Sequence, residues 1–106
     1  MHYEIEANEL KELLDSGEPV VLVDVREPWE HEIVRLPDSR HIPMYELGRR
    51  VDKIDRDRLH VLYCHHGVRS LHAVLALAER GFENVRSLRG GIDLWAAEVD
   101  PEMPRY

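Results

Sequence analysis

One segment of the chain combines the residue types that nucleophilic chemistry needs. Cys64 is the only cysteine among the 106 residues, and it opens the run Cys64-His65-His66-Gly67-Val68-Arg69-Ser70 directly after apolar residues 61–63. Residues 71–80 follow with apolar side chains at helical spacing, so the run is predicted to connect a strand to a helix N-terminus. Unpaired N–H groups and the helix dipole stabilise an anion there, which favours the nucleophilic thiolate. The alternative is a small buried cysteine that only packs.

The elements around this segment alternate between strand and helix patterns. Alternation of this kind predicts an α/β fold, a mainly parallel central sheet with helices on both faces, and it places Cys64 at the carboxyl end of a strand, where such sheets bind ligands. The predicted strands lie at Ile5 and at residues 20–25, 61–63 and 85–88; the predicted helices lie near residues 10–14, at 27–32, 45–54 and 71–80, and after Gly90-Gly91.

The pattern Cys64-x-x-Gly67-x-Arg69-Ser70 resembles the active-site loop of the rhodanese family of sulfurtransferases. Two further signatures of that family are similar to segments of this chain, namely residues 20–27 with Glu30 and residues 88–95. One region differs: residues 34–40 stand where the family usually has a Gly-His-Ile-Pro-Gly-Ala-like run. The resemblance covers nearly the whole chain and implies a single rhodanese-like domain over residues 1–106. It implies sulfur transfer through a Cys64 persulfide, with no cofactor, from a small donor such as thiosulfate to a thiol or protein acceptor.

The length of the loop separates two families that both use cysteine and arginine. Cysteine phosphatases place one residue more between the two, which gives a loop wide enough for phosphate. The four residues between Cys64 and Arg69 resemble the shorter sulfurtransferase loop, whose amides from residues 65 to 70 are expected to surround the outer persulfide sulfur. Gly67 suits converging N–H groups, although an ordinary turn glycine is the alternative.

The other polar residues of the loop have competing roles. Arg69 either binds the anionic end of a donor or ties the loop together. Ser70 is expected to be the N-cap of the following helix, with direct contact to the sulfur as the alternative. His65 and His66 are ligand types that zinc accepts, but adjacent histidines on a tight loop point in different directions, so we expect no metal site. Val68 completes the predicted persulfide-binding loop.

Charged residues outside the loop are candidates for supporting it. Asp24, Arg26 and Glu30 resemble the family's early motif, and we expect Asp24 and Arg26 to pair because residues two apart on a strand project to the same side. Arg35 and Arg40 are candidates for a basic rim around the site. Separately from these, Trp29 and Trp95 are expected to be packing residues.

Composition limits the classes of partner and compartment. Apolar residues make up 43% of the chain and charged residues 33%, which is typical of a folded domain and not of a disordered one. The net charge of −7 disfavours nucleic acid as a partner, and no run approaches the length of a membrane span. A single thiol suits a reducing, cytoplasmic location.

The tail, residues 99–106, resembles the end of rhodanese domains fused to enzymes that adenylate ubiquitin-like sulfur carriers. The resemblance implies a second possibility, a relay that delivers persulfide sulfur to a carrier protein. Simple packing of Pro101, Met103 and Tyr106 onto the domain is the plainer interpretation. A non-catalytic binding module is disfavoured because Cys64 stands in an intact loop.

Overall fold

The computed structural model describes residues 2–106. Within these residues the longest helix has 12 residues. No helix within residues 2–106 has the length and apolar character needed to cross a bilayer. In chain order the elements are β1 (Glu4–Ile5), α1 (Ala7–Asp15), β2 (Val20–Asp24), α2 (Pro28–Ile33), β3 (Arg40–His41), α3 (Met44–Leu47), a 3-10 helix (Val51–Lys53), β4 (Leu59–Tyr63), α4 (Val68–Glu79), β5 (Val85–Leu88) and α5 (Gly91–Glu98).

The five strands form one sheet in the order β1-β5-β4-β2-β3, and every neighbouring pair is parallel. The predicted parallel α/β fold is therefore confirmed. Asp24 at the end of β2 is the register partner of Tyr63 at the end of β4. Because these two strands end side by side, the loops that follow them, beginning at Val25 and Cys64, emerge next to each other at the carboxyl edge of the sheet.

Helices cover both faces of the sheet, as the alternating pattern predicts. Leu22 and Val23 are neighbours in β2 and point to opposite faces. Val23 packs with Val74 of α4 in one core, whereas Leu22 packs with Leu10 of α1 and Trp95 of α5 in the other. Each fully buried aliphatic side chain of this kind stabilises the fold by about 1.5–3 kcal/mol, so the two cores hold the carboxyl edge in a fixed position.

Two of the sequence-based predictions about local structure are wrong. The helix expected over residues 45–54 is broken into α3 and the 3-10 helix, because Leu47 and Ile54 each reach the core from a short helical turn and Gly48 between them is a poor helix former. Trp29, expected to pack, is 56% exposed on α2, whereas Trp95 is buried as predicted.

Candidate functional site

Cys64 lies immediately after β4, and its side chain is almost fully buried. The backbone N–H of Gly67 donates to Cys64 Sγ at 3.1 Å, and the N–H of Ser70 does so at 3.4 Å. Gly67 has a φ of 98° and stands where α4 begins. A Cβ at this residue would lie only 3.0 Å from the Gly90 nitrogen, so both the backbone angle and the space require glycine.

Ser70 contacts the Cys64 sulfur, which was the alternative to the role of helix cap. Helix α4 begins at Val68, with Gly67 at the N-cap position, so the prediction that Ser70 caps the helix is wrong. Because Gly67 has a left-handed conformation, helix α4 begins at Val68 and not after Ser70. Ser70 therefore lies in the first turn of the helix and faces inward. Its hydroxyl is fully buried, 3.4 Å from Cys64 Sγ and 2.7 Å from Ser87 Oγ on β5.

The back of the loop is held by the start of a second helix. The N–H groups of Ile92 and Asp93, in the first turn of α5, donate to the carbonyl oxygens of Cys64 and His65 at 2.9 and 3.1 Å. A Cβ on Gly91 would collide with the carbonyl of His65, so the loop and α5 touch backbone to backbone. Two helix N-termini thus converge on one loop.

Arg69 is paired with Glu30 on α2. The guanidinium donates two parallel hydrogen bonds to the carboxylate, at 2.7 and 2.9 Å. Burial alone would raise the pKa of Glu30, but hydrogen bonds from Arg69 and Tyr106 outweigh it and lower the pKa to about 2. The Arg69 side chain is 39% exposed, and its raised pKa reflects first the Glu30 bond and also the nearby Cys64. Arg69 therefore ties the loop to α2 while keeping part of its cationic surface accessible.

Asp24 and Arg26 form a buried ion pair under the same edge. Arg26 donates to both Asp24 carboxylate oxygens at 2.9 and 2.7 Å, and both side chains are fully buried, so the predicted pairing is confirmed. Burial opposes ionisation of Asp24, yet hydrogen bonds from Arg26 and His31 lower its pKa below the ordinary value. Arg26 also donates to the Val34 carbonyl, which fixes the chain that leaves α2.

Tyr106 belongs to the site, although its sequence position gave no sign of it. Its hydroxyl accepts a hydrogen bond from Arg26 Nη1 at 2.8 Å and donates one to Glu30 Oε2 at 2.5 Å. Its ring stacks on His65, with the ring centroids 3.9 Å apart and the planes 8° from parallel. The only available signal was the resemblance of residues 99–106 to other rhodanese tails, which does not indicate a contact with the loop.

His65 and His66 stack on each other, with 3.9 Å between ring centroids. Their ring nitrogens and the Asp93 carboxylate lie within 4.8 Å of one another, so this group could hold a metal ion. However, Arg105 already binds both Asp93 oxygens, at 2.9 and 3.1 Å. Burial and then the neighbouring His66 lower the pKa of His65, so its ring is neutral at pH 7.

Within residues 2–106, none of the remaining predicted residues forms a hydrogen bond with the Cys64 sulfur. Val68 is 63% exposed on the first turn of α4. Arg35 contacts the His31 carbonyl at 3.4 Å, next to α2. Arg40 contacts the Lys53 carbonyl at 3.4 Å.

Comparison with known proteins agrees with this geometry. The rhodanese-like domain model matches residues 6–98. A sulfurtransferase of Allochromatium vinosum is 40% identical over 93 residues, covering 88% of this chain and 87% of that protein. The rhodanese-like domain protein of Staphylococcus aureus superposes with a TM-score of 0.84 at 27% identity, covering 100% of this chain and 99% of the other.

A longer relative is the probable adenylyltransferase/sulfurtransferase MoeZ of Mycobacterium tuberculosis, 40% identical over 104 residues. The match covers 96% of this chain but only 26% of MoeZ, so the chain corresponds to about a quarter of that protein. The family model and the shorter relatives cover nearly the whole of residues 2–106, including β4, the Cys64 loop and α5. The chain therefore belongs to the rhodanese-like domain family.

Proposed function

We propose that the chain is a sulfurtransferase that carries sulfane sulfur on Cys64, from a donor such as thiosulfate to a thiophilic acceptor. The observation that carries this proposal is the position of Cys64 Sγ, which receives two backbone N–H groups at 3.1 and 3.4 Å where two helices begin. Backbone N–H groups that point at one atom form a site for negative charge. A persulfide carries such a charge on its outer sulfur, so this loop suits a sulfur atom carried on Cys64.

The reaction proceeds in two balanced transfers. The Cys64 thiolate attacks the outer sulfur of thiosulfate, forming the Cys64 S–S bond while the donor's S–S bond breaks and its electron pair leaves with sulfite. An acceptor thiolate or cyanide then attacks the outer persulfide sulfur, and Cys64 departs as the thiolate. Covalent catalysis of this type requires only the protein nucleophile, so the proposal includes no cofactor.

Arg69 is suited to receive the donor's anionic end. Its guanidinium retains exposed surface beyond the two hydrogen bonds to Glu30, and it lies close enough to Cys64 for their charges to interact. In this role Arg69 would lower the electrostatic cost of bringing a dianion to a thiolate. His65, His66, Gly67, Val68 and Ser70 would form the loop around the transferred sulfur, with Asp24, Arg26 and Glu30 as its support.

Two features support a protein acceptor as a second candidate. MoeZ, in which the matched region accompanies a much longer chain, is named an adenylyltransferase as well as a sulfurtransferase. The tail of this chain also resembles that of carrier-linked domains. A sulfur carrier protein would fit the relay role, with residues 1–106 acting as one domain in the reducing cytoplasm, where Cys64 is kept as a thiol.

Intact-mass analysis tests the persulfide directly. After incubation with thiosulfate and removal of small molecules, the protein should be heavier by one sulfur atom, and a reducing agent should remove that mass. Cys64→Ser should gain no mass and should form no thiocyanate from thiosulfate and cyanide, while keeping the fold because serine fits the same buried space. Unchanged thiocyanate production by that variant would refute the mechanism.

The acceptor can be tested by competition. Persulfide-loaded protein is offered an adenylated sulfur carrier or a small thiol at equal concentration, and the transfer of labelled sulfur is followed over time. Faster transfer to the carrier supports the relay role. Equal rates would favour a sulfurtransferase that acts on small thiols.

A further inference from the structure

Tyr106 connects the two ion pairs beneath the Cys64 loop. Its hydroxyl accepts from Arg26 at 2.8 Å and donates to Glu30 Oε2 at 2.5 Å. A continuous series of polar contacts thus runs from Asp24 through Arg26, Tyr106 and Glu30 to Arg69.

The Glu30 carboxylate is held from three directions. The Glu27 N–H binds Oε1 at 3.0 Å, Arg69 binds both oxygens, and the Tyr106 hydroxyl binds Oε2. With each oxygen engaged on two sides, the carboxylate plane cannot rotate without losing a charge-assisted hydrogen bond. A fixed carboxylate plane fixes the direction of the guanidinium that it binds.

The aromatic ring of Tyr106 supports the loop on its other side. The ring is parallel to His65 at 3.9 Å and meets the edge of Trp29 at 5.8 Å. The preceding residue, Arg105, binds Asp93, whose own N–H holds the His65 carbonyl. The tail therefore contacts the His65 ring through Tyr106, and through Arg105 it binds the residue whose N–H holds the His65 carbonyl.

We infer that Tyr106 is a positioning residue, whose hydroxyl orients Arg69 for an anionic sulfur donor through Glu30 and whose ring steadies the loop at His65. This inference rests on the proposed sulfurtransferase function. Burial and the Glu30 carboxylate raise the pKa of Tyr106 to about 12, so the hydroxyl keeps its proton and donates to Glu30 at neutral pH. The two halves of the side chain thus have separable tasks.

Tyr106→Phe and Tyr106→Ala separate these tasks, with Tyr45→Phe as the matched control because Tyr45 is 61% exposed on α3. Tyr106→Phe removes only the hydroxyl, so the KM for thiosulfate should rise about three- to tenfold while kcat changes little. Tyr106→Ala should show the same rise in KM and also a lower kcat, because the His65 ring loses its stacked neighbour. Tyr45→Phe should match the wild type in both parameters.

A second measurement does not depend on sulfur transfer. Iodoacetate and iodoacetamide alkylate the same thiol, but only iodoacetate is an anion. The rate with iodoacetate divided by the rate with iodoacetamide therefore reports the position of the Arg69 charge near Cys64. The ratio should fall in Tyr106→Phe by about the factor by which KM rises. In a Glu30→Gln background, Tyr106→Phe should change the ratio little, since the hydroxyl acts through that carboxylate.

The inference would be overturned if Tyr106→Phe left both the alkylation ratio and KM unchanged. It would also be overturned if Tyr106→Phe changed the alkylation ratio equally in the wild type and in Glu30→Gln. If the wild type forms no persulfide, the proposed function fails, whereas the alkylation ratio still decides whether Tyr106 orients Arg69. If Tyr106→Ala does not fold, the Phe variant decides the role of the hydroxyl and Tyr106→Leu takes the place of Ala in testing the ring.

Discussion

The guanidinium of Arg69 and the carboxylate of Glu30 are joined by two parallel hydrogen bonds across 39 positions of sequence. The pair links the loop that follows β4 to the helix that follows β2. Because the Glu30 side chain is only 4% exposed, water screens this interaction little and its geometry is fixed. Arg69 is therefore oriented by a carboxylate on α2, the helix that connects β2 to β3.

Glu30 should make the fold sensitive to acid. Its pKa of about 2 lies below the ordinary 4.5, so between these values the unfolded chain binds a proton that the native chain does not. The stability that depends on ionised Glu30 is complete above about pH 4.5 and is lost as pH falls towards 2, and it amounts to about 3 kcal/mol. Urea unfolding of the wild type and Glu30→Gln from pH 7 to 3 should show a smaller pH dependence in the variant.

Glu46→Gln is the matched control for that experiment. Glu46 forms an ion pair with Arg50 at 3.3 Å, but both side chains are substantially exposed, so its removal should change stability by less than about 0.5 kcal/mol. Equal pH dependence in all three proteins would show that the Glu30 pair contributes no more than a surface pair.

Gly91→Ala should damage both stability and activity. The added Cβ meets the His65 carbonyl, and the φ of 64° is itself unfavourable for alanine. We expect a loss of about 2–4 kcal/mol, and slower persulfide formation because α5 is displaced from the loop. Thermal unfolding and the rate of sulfite release from thiosulfate measure the two effects.

Gly17→Ala is the control that separates the effect of the positive φ angle from the effect of the close contact at Gly91. Gly17 has a similar φ of 78°, but a Cβ there meets nothing within 4 Å. This variant should lose only about 1 kcal/mol and should retain full activity. A Gly91→Ala protein that resembles Gly17→Ala would mean that the backbone contact with His65 is unimportant.

Insertion of one alanine between His66 and Gly67 tests the size of the loop. The longer loop moves the Gly67 N–H away from its position 3.1 Å from the sulfur, so transfer from thiosulfate should fall by at least about tenfold. Weak hydrolysis of an aryl phosphate is expected in the same variant, because the wider loop admits a tetrahedral anion. Thiocyanate and phosphate release are measured in parallel.

An alanine inserted after Gly48, where a Cβ would meet nothing within 4 Å, is the control and should keep wild-type activity. Faster phosphate ester hydrolysis than sulfur transfer by the wild type would contradict the argument from loop size.

Patterns that are local in sequence predicted the framework of this site. The apolar runs of β2 and β4, the glycine after Cys64 and the helical spacing of α4 are all determined by near neighbours, and they place Cys64 at the carboxyl edge. Pairing of Asp24 with Arg26 was also predictable, because the two residues are separated by one position on an extended chain.

Partners distant in sequence were not predictable. Glu30 is 39 positions from Arg69 and 76 from Tyr106, and neither contact leaves a periodic pattern. The inward position of Ser70 depends on the left-handed angle of Gly67, which shifts the helix start to Val68. Trp29 is exposed because it lies on the outer side of α2, next to the tail.

The backbone contact between α5 and the loop also determines the order in which the loop is completed during synthesis. Ile92 and Asp93 supply the N–H groups that hold the carbonyls of Cys64 and His65, and they are translated 28 and 29 residues after the cysteine. Until that part of the chain has left the ribosome and docked, the Cys64 loop lacks these two hydrogen bonds. The loop is therefore completed only after most of the fold around it is in place.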